Sequence, residues 1–279
     1  MTNVSMHSAG AQPGETVDEP SLSARAFEPY TRSVFLQAGL EPGMRVLDAW
    51  SAGGDVAFIA GEIVGPYGEV VGFDQSPEPV AYASRRAAAR GLANVRFVQA
   101  DVAALPFGAE FDAVVGRVVL IYRLDPVSDL KALLRCLKPG GLVVFQETDL
   151  LTGKTVPRAP VVEEVRDWML DAFAHAGIEM EMGHKLYQTF KAAGLGPPRM
   201  EIDGFIGGVE DISPALFARV VRTLLPQLEA KGLATAEQVQ IDTLEDRMRA
   251  DLAKTGGVMS TPLLIGAWSR LSASSANLA

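Results

Sequence analysis

Three acidic side chains stand at the ends of three successive strand-like segments. Asp48 and Asp74 each end an apolar segment, and Asp101 comes just after a third. In an open parallel sheet the carboxyl ends of the strands face one crevice, so these side chains can meet around a single ligand. An acid ending the second strand can accept from both hydroxyls of a ribose, and Asp101 with the backbone of Val102 can pair with an adenine. The pattern predicts an adenosine site.

A small-residue turn lies between the first strand and the first helix that follows it. The stretch reads MRVLDAWSAGGD over residues 44–55. Small residues let a ligand approach the backbone closely and permit positive φ angles. Trp50 is the exception, because it places a large side chain in the middle of the turn. The function therefore depends on whether a ligand fits beside this indole.

Strand and helix patterns alternate through the first half of the chain. Strands are predicted at residues 46–49, 69–74, 95–99, 111–115 and 142–145, and helices at 56–64, 77–90 and 126–137. Apolar strands separated by helices indicate a parallel sheet that is covered on both faces. The fold class is therefore α/β, a Rossmann-like doubly wound and mostly parallel sheet.

The rhythm changes after residue 150. Helical patterns cover residues 161–176, 183–193, 212–230 and 235–254, with strands at 199–206 and 258–269. We interpret the helices as a cap over the carboxyl edge of the sheet, and the final strand as antiparallel. The predicted organisation is a disordered tail at 1–21, a helical segment at 22–43, a ligand-binding core at 44–150, and a cap with terminal strands at 151–279.

Composition excludes several classes of function. A formal net charge of −9 disfavours nucleic acids and anionic membranes as partners. The single Cys136 excludes an internal disulfide, and His7, His175 and His184 are too scattered for a metal site. With neither a signal peptide nor a transmembrane segment expected, we predict a cytoplasmic protein with a small-molecule partner. A homodimer is left open.

Five stretches together resemble class I S-adenosylmethionine-dependent methyltransferases. They read VLDAWSAGGDVAF, VVGFDQSPEPVAYASRRA, NVRFVQADVAALPF, FDAVVGRVVLIYRLDP and LKPGGLVVFQETD, in the family's order over residues 44–149. The resemblance implies S-adenosylmethionine as cofactor and S-adenosylhomocysteine as product. It also implies methyl transfer to a small, partly apolar metabolite by direct displacement.

The resemblance also implies a set of cofactor-binding residues. Asp74 would hold the ribose, Asp101 and Val102 the adenine, and the turn at 50–54 the methionine part. Arg117 would lie where cofactor and substrate meet, and Tyr30 would close over the cofactor or pack as core. The complete set is Tyr30, Asp48, Trp50, Ser51, Gly54, Asp74, Gln75, Asp101, Val102 and Arg117.

The turn departs from the family's usual Asp-x-Gly-x-Gly-x-Gly. At those spacings the chain has Asp48, Trp50, Ala52 and Gly54, and Gly53 is a candidate for the strained conformation in place of Ala52. If Trp50 needs a positive φ, the strain is on the order of 1–3 kcal/mol. The indole can pack under the sheet, stack on the substrate or occupy the methionine pocket.

Two functions therefore compete, and a third ranks last. We favour core packing of Trp50 with the cofactor still bound, because the ribose and adenine acids are intact. The rival is a methyltransferase-like protein with weakened or lost methyl transfer, which binds a ligand for regulation or uses the cofactor for another reaction. A nicotinamide-dependent dehydrogenase expects Gly-x-Gly-x-x-Gly at the turn, and that pattern fails here.

Methyl transfer needs alignment and sometimes a base, but no metal. Glu147 and Asp149 follow the fifth strand and are placed as general bases; capping or pairing with Arg117 is the alternative. His184 opens a predicted cap helix as a base with a tuned pKa, or is a surface residue. Arg117 completes the catalytic candidates as a substrate contact.

Overall fold

The computed structural model describes residues 22–272, apart from the side chains of residues 23 and 24. The tail predicted at residues 1–21 lies outside these described residues. The described chain forms two compact units. The first holds residues 22–147, 184–201 and 265–272, and the second holds residues 148–183 and 202–264.

The first half of the chain alternates helices and strands as predicted. In order these are α1 (Leu22–Ala38), β1 (Arg45–Ala49), α2 (Asp55–Val64), β2 (Glu69–Asp74), α3 (Pro77–Ala89), β3 (Val95–Gln99), β4 (Phe111–Arg117), α4 (Pro126–Leu134) and β5 (Leu137–Asp149). Short 3₁₀ turns cover Val102–Ala104 and Leu120–Tyr122.

The predicted boundary between α4 and β5 is wrong. The helix ends at Leu134 instead of residue 137, and the strand begins at Leu137 instead of residue 142. Leu137 pairs with Phe111, and the register then shifts before Ala113 pairs with Leu142. The Pro-Gly-Gly sequence at residues 139–141 lies within this irregular part of the paired strand.

The second half contains more, shorter elements than predicted. They are β6 (Lys154–Val156), α5 (Pro160–Ala176), α6 (Met182–Ala192), β7 (Arg199–Asp203), β8 (Ile206–Gly207), α7 (Ser213–Ala230), α8 (Ala236–Val239), α9 (Leu244–Thr255), β9 (Val258–Ser260) and β10 (Leu263–Arg270). The single helix predicted at 235–254 is wrong, because Gln240 takes a left-handed φ of 45° and ends α8. The strand predicted at 258–269 is two strands that join different sheets.

Seven strands form one sheet in the order β3-β2-β1-β4-β5-β10-β7. Strands β1 to β5 pair in parallel, and the last strands are antiparallel. This confirms the predicted Rossmann-like fold class. The order reverses at β1 and β4, and at such a switch point the loops diverge and leave a crevice.

One face of the sheet carries the apolar core and, at its carboxyl rim, the acids. Val46 and Val70 belong to the core packed against α1, α2 and α3. Because side chains alternate between faces along a strand, Asp48 and Asp74 lie on that same face, two and four positions further on. The register pairs Asp48 with Gly72, so the two acids end neighbouring strands.

The second unit has its own architecture. Helices α5, α7 and α9 pack on one another, and β6, β9 and β8 form a three-stranded antiparallel sheet. That this part of the chain caps the carboxyl edge of the large sheet stays a prediction. Within residues 22–272, no helix combines the length and apolar character that spanning a bilayer requires.

Candidate functional site

The loop between β1 and α2 takes left-handed backbone angles at alternate residues. The φ angles are 51° at Trp50, 44° at Ala52 and 86° at Gly54. For the two residues with side chains this conformation costs on the order of 1–3 kcal/mol each. The condition set for strain at Trp50 is therefore met. The expectation for Gly53 is wrong, because Ala52 itself takes the positive φ.

The indole of Trp50 packs under the sheet, the first of the three placements considered. Only 4% of Trp50 is exposed, and its ring lies 5.6 Å from that of Phe73, tilted by 51°. The guanidinium of Arg123 lies 4.8 Å from the indole centroid. Since Phe73 and Asp74 are successive on β2, their side chains point to opposite faces. The indole is thus fixed on the face opposite Asp74.

A cavity of about 90 Å³ opens beside the loop. A drug-sized ligand needs roughly 300 Å³ or more, so this cavity suits one polar end of a ligand rather than a whole nucleoside. Its wall contains two carboxylates and one guanidinium. The lining residues are Asp48, Ala49, Trp50, Ser51, Ala52, Gly53, Asp55, Val56, Arg117 and Val119.

Asp48, which is buried, and Arg117, which is half-buried, are two ionisable groups in the wall of this cavity. Burial raises the pKa of Asp48 well above its usual range, while Arg117 and the backbone N–H of Ala57 oppose the rise. Burial lowers the pKa of Arg117, and the carboxylates of Asp55 and Asp48 oppose that change. Arg117 also donates to Thr31 Oγ1 at 2.9 Å. The wall can therefore meet a ligand end that carries both charges.

One carboxylate oxygen of Asp74 is hydrogen-bonded and the other is not. It is 6% exposed, and its Oδ1 accepts from the backbone N–H of Ser76 at 3.0 Å. Its Oδ2 is buried and has no hydrogen-bond partner within residues 22–272. A buried carboxylate oxygen without a partner is costly, so it favours a donor from a ligand. The arrangement fits the predicted contact with ribose hydroxyls.

Asp101 lies on the exposed rim. Its Oδ1 accepts from the N–H of Ala103 at 2.9 Å and caps the 3₁₀ turn that begins at the buried Val102. Gln75 is exposed, and its carbonyl accepts from Gln99 Nε2 at 3.0 Å. These residues follow β2 and β3, where an adenine can lie in the open part of the crevice.

Glu147 is occupied by the backbone. Its Oε1 accepts from Val119 at 3.0 Å and Leu120 at 2.8 Å, and its Oε2 from Ile121 at 3.2 Å. Burial raises its pKa to about 7, although the three N–H groups oppose the rise. Both oxygens thus anchor the 3₁₀ turn after β4, which supports the capping alternative over the general base.

Two other predicted residues are not part of the cavity wall. His184 is exposed in the first turn of α6, and Tyr30 is half-buried on α1; neither lines the cavity. Among residues 22–272 no three His, Cys, Asp or Glu side chains are grouped to hold a metal ion.

Sequence reasoning missed Arg86, Thr31 and Arg123. Arg86 is 2% exposed, donates to the carbonyl of Gly53 and pairs with Asp55 at 2.8 Å. Its stretch reads YASRRAAAR, and arginines in such a helix are usually solvated. Thr31 contacts Arg117, and Arg123 contacts Trp50. Both contacts join distant parts of the chain, which local sequence patterns do not reveal.

Comparison with known proteins gives consistent results. A family model described as a methyltransferase domain matches residues 40–194. A demethylmenaquinone methyltransferase of Geobacillus kaustophilus is 34% identical over 128 residues, 46% of this chain and 55% of that protein. A ubiquinone/menaquinone biosynthesis C-methyltransferase of Pseudomonas putida is 36% identical over 124 residues, 44% of this chain and 48% of that protein. The chain spans about half the length of these curated relatives.

A solved structure shares the fold. Geranyl diphosphate C-methyltransferase from Streptomyces coelicolor A3(2) was crystallised with Mg²⁺, geranyl diphosphate and S-adenosyl-L-homocysteine. Its structure superimposes with a TM-score of 0.52 and 16% sequence identity, covering 92% of this chain and 85% of that one.

Proposed function

The chain belongs to the class I S-adenosylmethionine-dependent methyltransferase family, and on that premise we propose that it methylates a small, partly apolar metabolite. The carrying observation is the unpaired Oδ2 of Asp74, a buried acceptor at the strand end where a ribose belongs. The named relatives act in quinone biosynthesis or on geranyl diphosphate, small molecules with apolar parts. Their names support the same class of substrate here.

The chain's own side chains divide the binding of S-adenosylmethionine among them. Asp74 accepts from the ribose, and Asp101 with Val102 meets the adenine at the rim. Asp48 suits the ammonium of the methionine part, and Arg117 suits its carboxylate. The bound cofactor supplies the methyl group and a neutral thioether as leaving group.

The surrounding residues align and shield rather than react. Trp50 and Phe73 close the opposite face of the sheet, and Glu147 fixes the turn whose Val119 lines the cavity. Buried carboxylates favour a cationic sulfonium, because attraction between opposite charges is strong away from water. Direct displacement then depends on holding the nucleophile in line.

A second candidate is a methyltransferase-like protein that binds a ligand without transferring a methyl group. The observation in its favour is the loop itself, where two glycines are replaced and the cavity beside it is only about 90 Å³. If the methionine part of S-adenosylmethionine does not fit this cavity, Asp74 and Asp101 can still bind an adenosine group, but the complete cofactor does not bind.

Calorimetric titration with S-adenosylmethionine and S-adenosylhomocysteine separates the two candidates. The proposed enzyme binds both, and Asp74→Ala abolishes binding while Glu78→Ala, an exposed acid four residues on, leaves it unchanged. Binding of neither compound to the wild-type chain favours the second candidate. Unchanged affinity in Asp74→Ala would show that the ribose assignment is wrong.

A further inference from the structure

A buried cation holds the cofactor loop from behind. Arg86 on α3 donates from Nη1 to the carbonyl of Gly53, and the same nitrogen lies 2.8 Å from Asp55 Oδ1. Its guanidinium lies 5.1 Å from the ring centroid of Phe58 and 5.5 Å from that of Tyr82. The guanidinium is therefore enclosed by two rings, a carboxylate and the loop backbone.

This burial is costly for the folded chain. Within the part of the chain that the structure describes, Nε and Nη2 of Arg86 have no hydrogen-bond partner. Buried ion pairs can often be replaced by apolar side chains without loss of stability. A methionine would fill the space between Phe58 and Tyr82 without unpaired donors. Packing alone therefore does not account for an arginine at this position.

The bond to the loop falls at a sensitive point. The carbonyl of Gly53 lies between Ala52 and Gly54, which both have left-handed backbones. Ala52 pays for this conformation because it has a side chain, whereas a glycine would adopt it readily. Gly53 has a different reason to be glycine, because a Cβ there would lie 3.1 Å from Nη1 of Arg86. The chain thus leaves room for the arginine to reach the backbone.

We propose that Arg86 is a positioning residue that fixes the β1–α2 loop in its ligand-binding conformation and offsets the missing glycine at Ala52. The inference rests on the proposed function, since it concerns how the loop receives S-adenosylmethionine. Arg86 does not line the cavity, so it acts through the loop backbone and not on the ligand.

The test is a double-mutant cycle measured by calorimetry with S-adenosylhomocysteine. Arg86→Met lowers affinity by roughly tenfold to a hundredfold, the range for losing a charged hydrogen bond. Ala52→Gly in the Arg86→Met background restores much of the lost affinity, because glycine adopts the left-handed conformation without support from Arg86. Arg90→Met is the matched control, since Arg90 lies one turn on and also covers the Phe58 ring, at 4.7 Å.

The outcomes separate positioning from mere stability. A loss of affinity in Arg86→Met that Ala52→Gly does not restore would overturn the proposal, as would wild-type affinity in Arg86→Met. If Arg86→Met does not fold, Arg86→Gln, which lacks the charge, takes its place in the same cycle, with the same two results deciding. A wild-type chain that binds neither cofactor form refutes the proposed function instead. Hydrogen exchange of the β1–α2 loop then tests the role of Arg86 without a ligand. We expect the loop amides to be less protected in Arg86→Met than in Arg90→Met.

Discussion

Replacing Glu147 by glutamine probes a buried carboxylate that holds three backbone donors. The amide oxygen of Glu147→Gln can keep the bonds from Val119 and Leu120. Its NH₂ group then faces the N–H of Ile121, where the carboxylate accepted at 3.2 Å. Losing that bond and opposing two donors costs about 1–3 kcal/mol.

The pH dependence gives the sharper expectation. The pKa of Glu147 rises from 4.5 to about 7 on folding, so the folded chain holds the proton more tightly than the unfolded chain. Stability from this group is therefore greatest below pH 4.5 and falls as pH rises through about 7. Each pH unit between the two values is worth roughly 1.4 kcal/mol, so the loss is about 3 kcal/mol. Glutamine does not titrate and escapes it.

Urea denaturation followed by circular dichroism at pH 5 and pH 8 measures the difference. We expect Glu147→Gln to be less stable than wild type at pH 5 and to recover about 2.5 kcal/mol relative to it by pH 8. Glu78→Gln, at an exposed site, serves as the control for a lost charge. A stability gap that stays constant or widens with pH would refute the reasoning. Cofactor affinity in Glu147→Gln should remain, because Glu147 does not line the cavity.

Three further expectations concern the loop and its cavity. Because the pKa of Asp48 is raised, the ammonium that S-adenosylmethionine and S-adenosylhomocysteine share favours its ionised form and releases a proton; the affinity for both compounds should rise with pH, and Asp48→Asn should remove that rise in calorimetry. Trp50→Ala should destabilise the fold by about 3–5 kcal/mol in thermal unfolding, while Trp50→Phe, which keeps a ring over Phe73 and removes an unpaired Nε1, should cost far less. Gly54→Ala should lose more stability than Gly65→Ala, since both have positive φ but only the Cβ at position 54 would meet Phe97, at 2.7 Å; equal losses would assign the whole effect to the backbone.

The sequence predicted those features of the fold that depend on local residue patterns. Alternation of apolar strands with amphipathic helices located the elements up to residue 149, and the acids at the strand ends followed from the direction of a parallel sheet. Asp74 could be placed because strand ends converge. Arg86 could not, because its burial depends on Phe58 and Tyr82 packing around it from two helices.

The second half resisted prediction for a related reason. The sheet of β6, β9 and β8 has strands of two or three residues, too short to show an alternating pattern. The strand predicted at residues 258–269 is divided at Pro262, which has no N–H to donate to a neighbouring strand. Beyond it, β10 joins the large sheet while β9 pairs with β6 and β8, a choice that only the tertiary fold decides.

The indole in the loop gives the chain a built-in optical reporter. Trp50 is one of three tryptophans in the sequence, and it lines the cavity while lying beneath the cation of Arg123. Ligand entry should alter the field around this fluorophore, and subtracting the emission of Trp50→Phe isolates its signal from Trp168 and Trp268. Stopped-flow mixing can then measure the rate at which an unlabelled nucleoside binds. A glycine at position 50 would provide no such fluorescence signal.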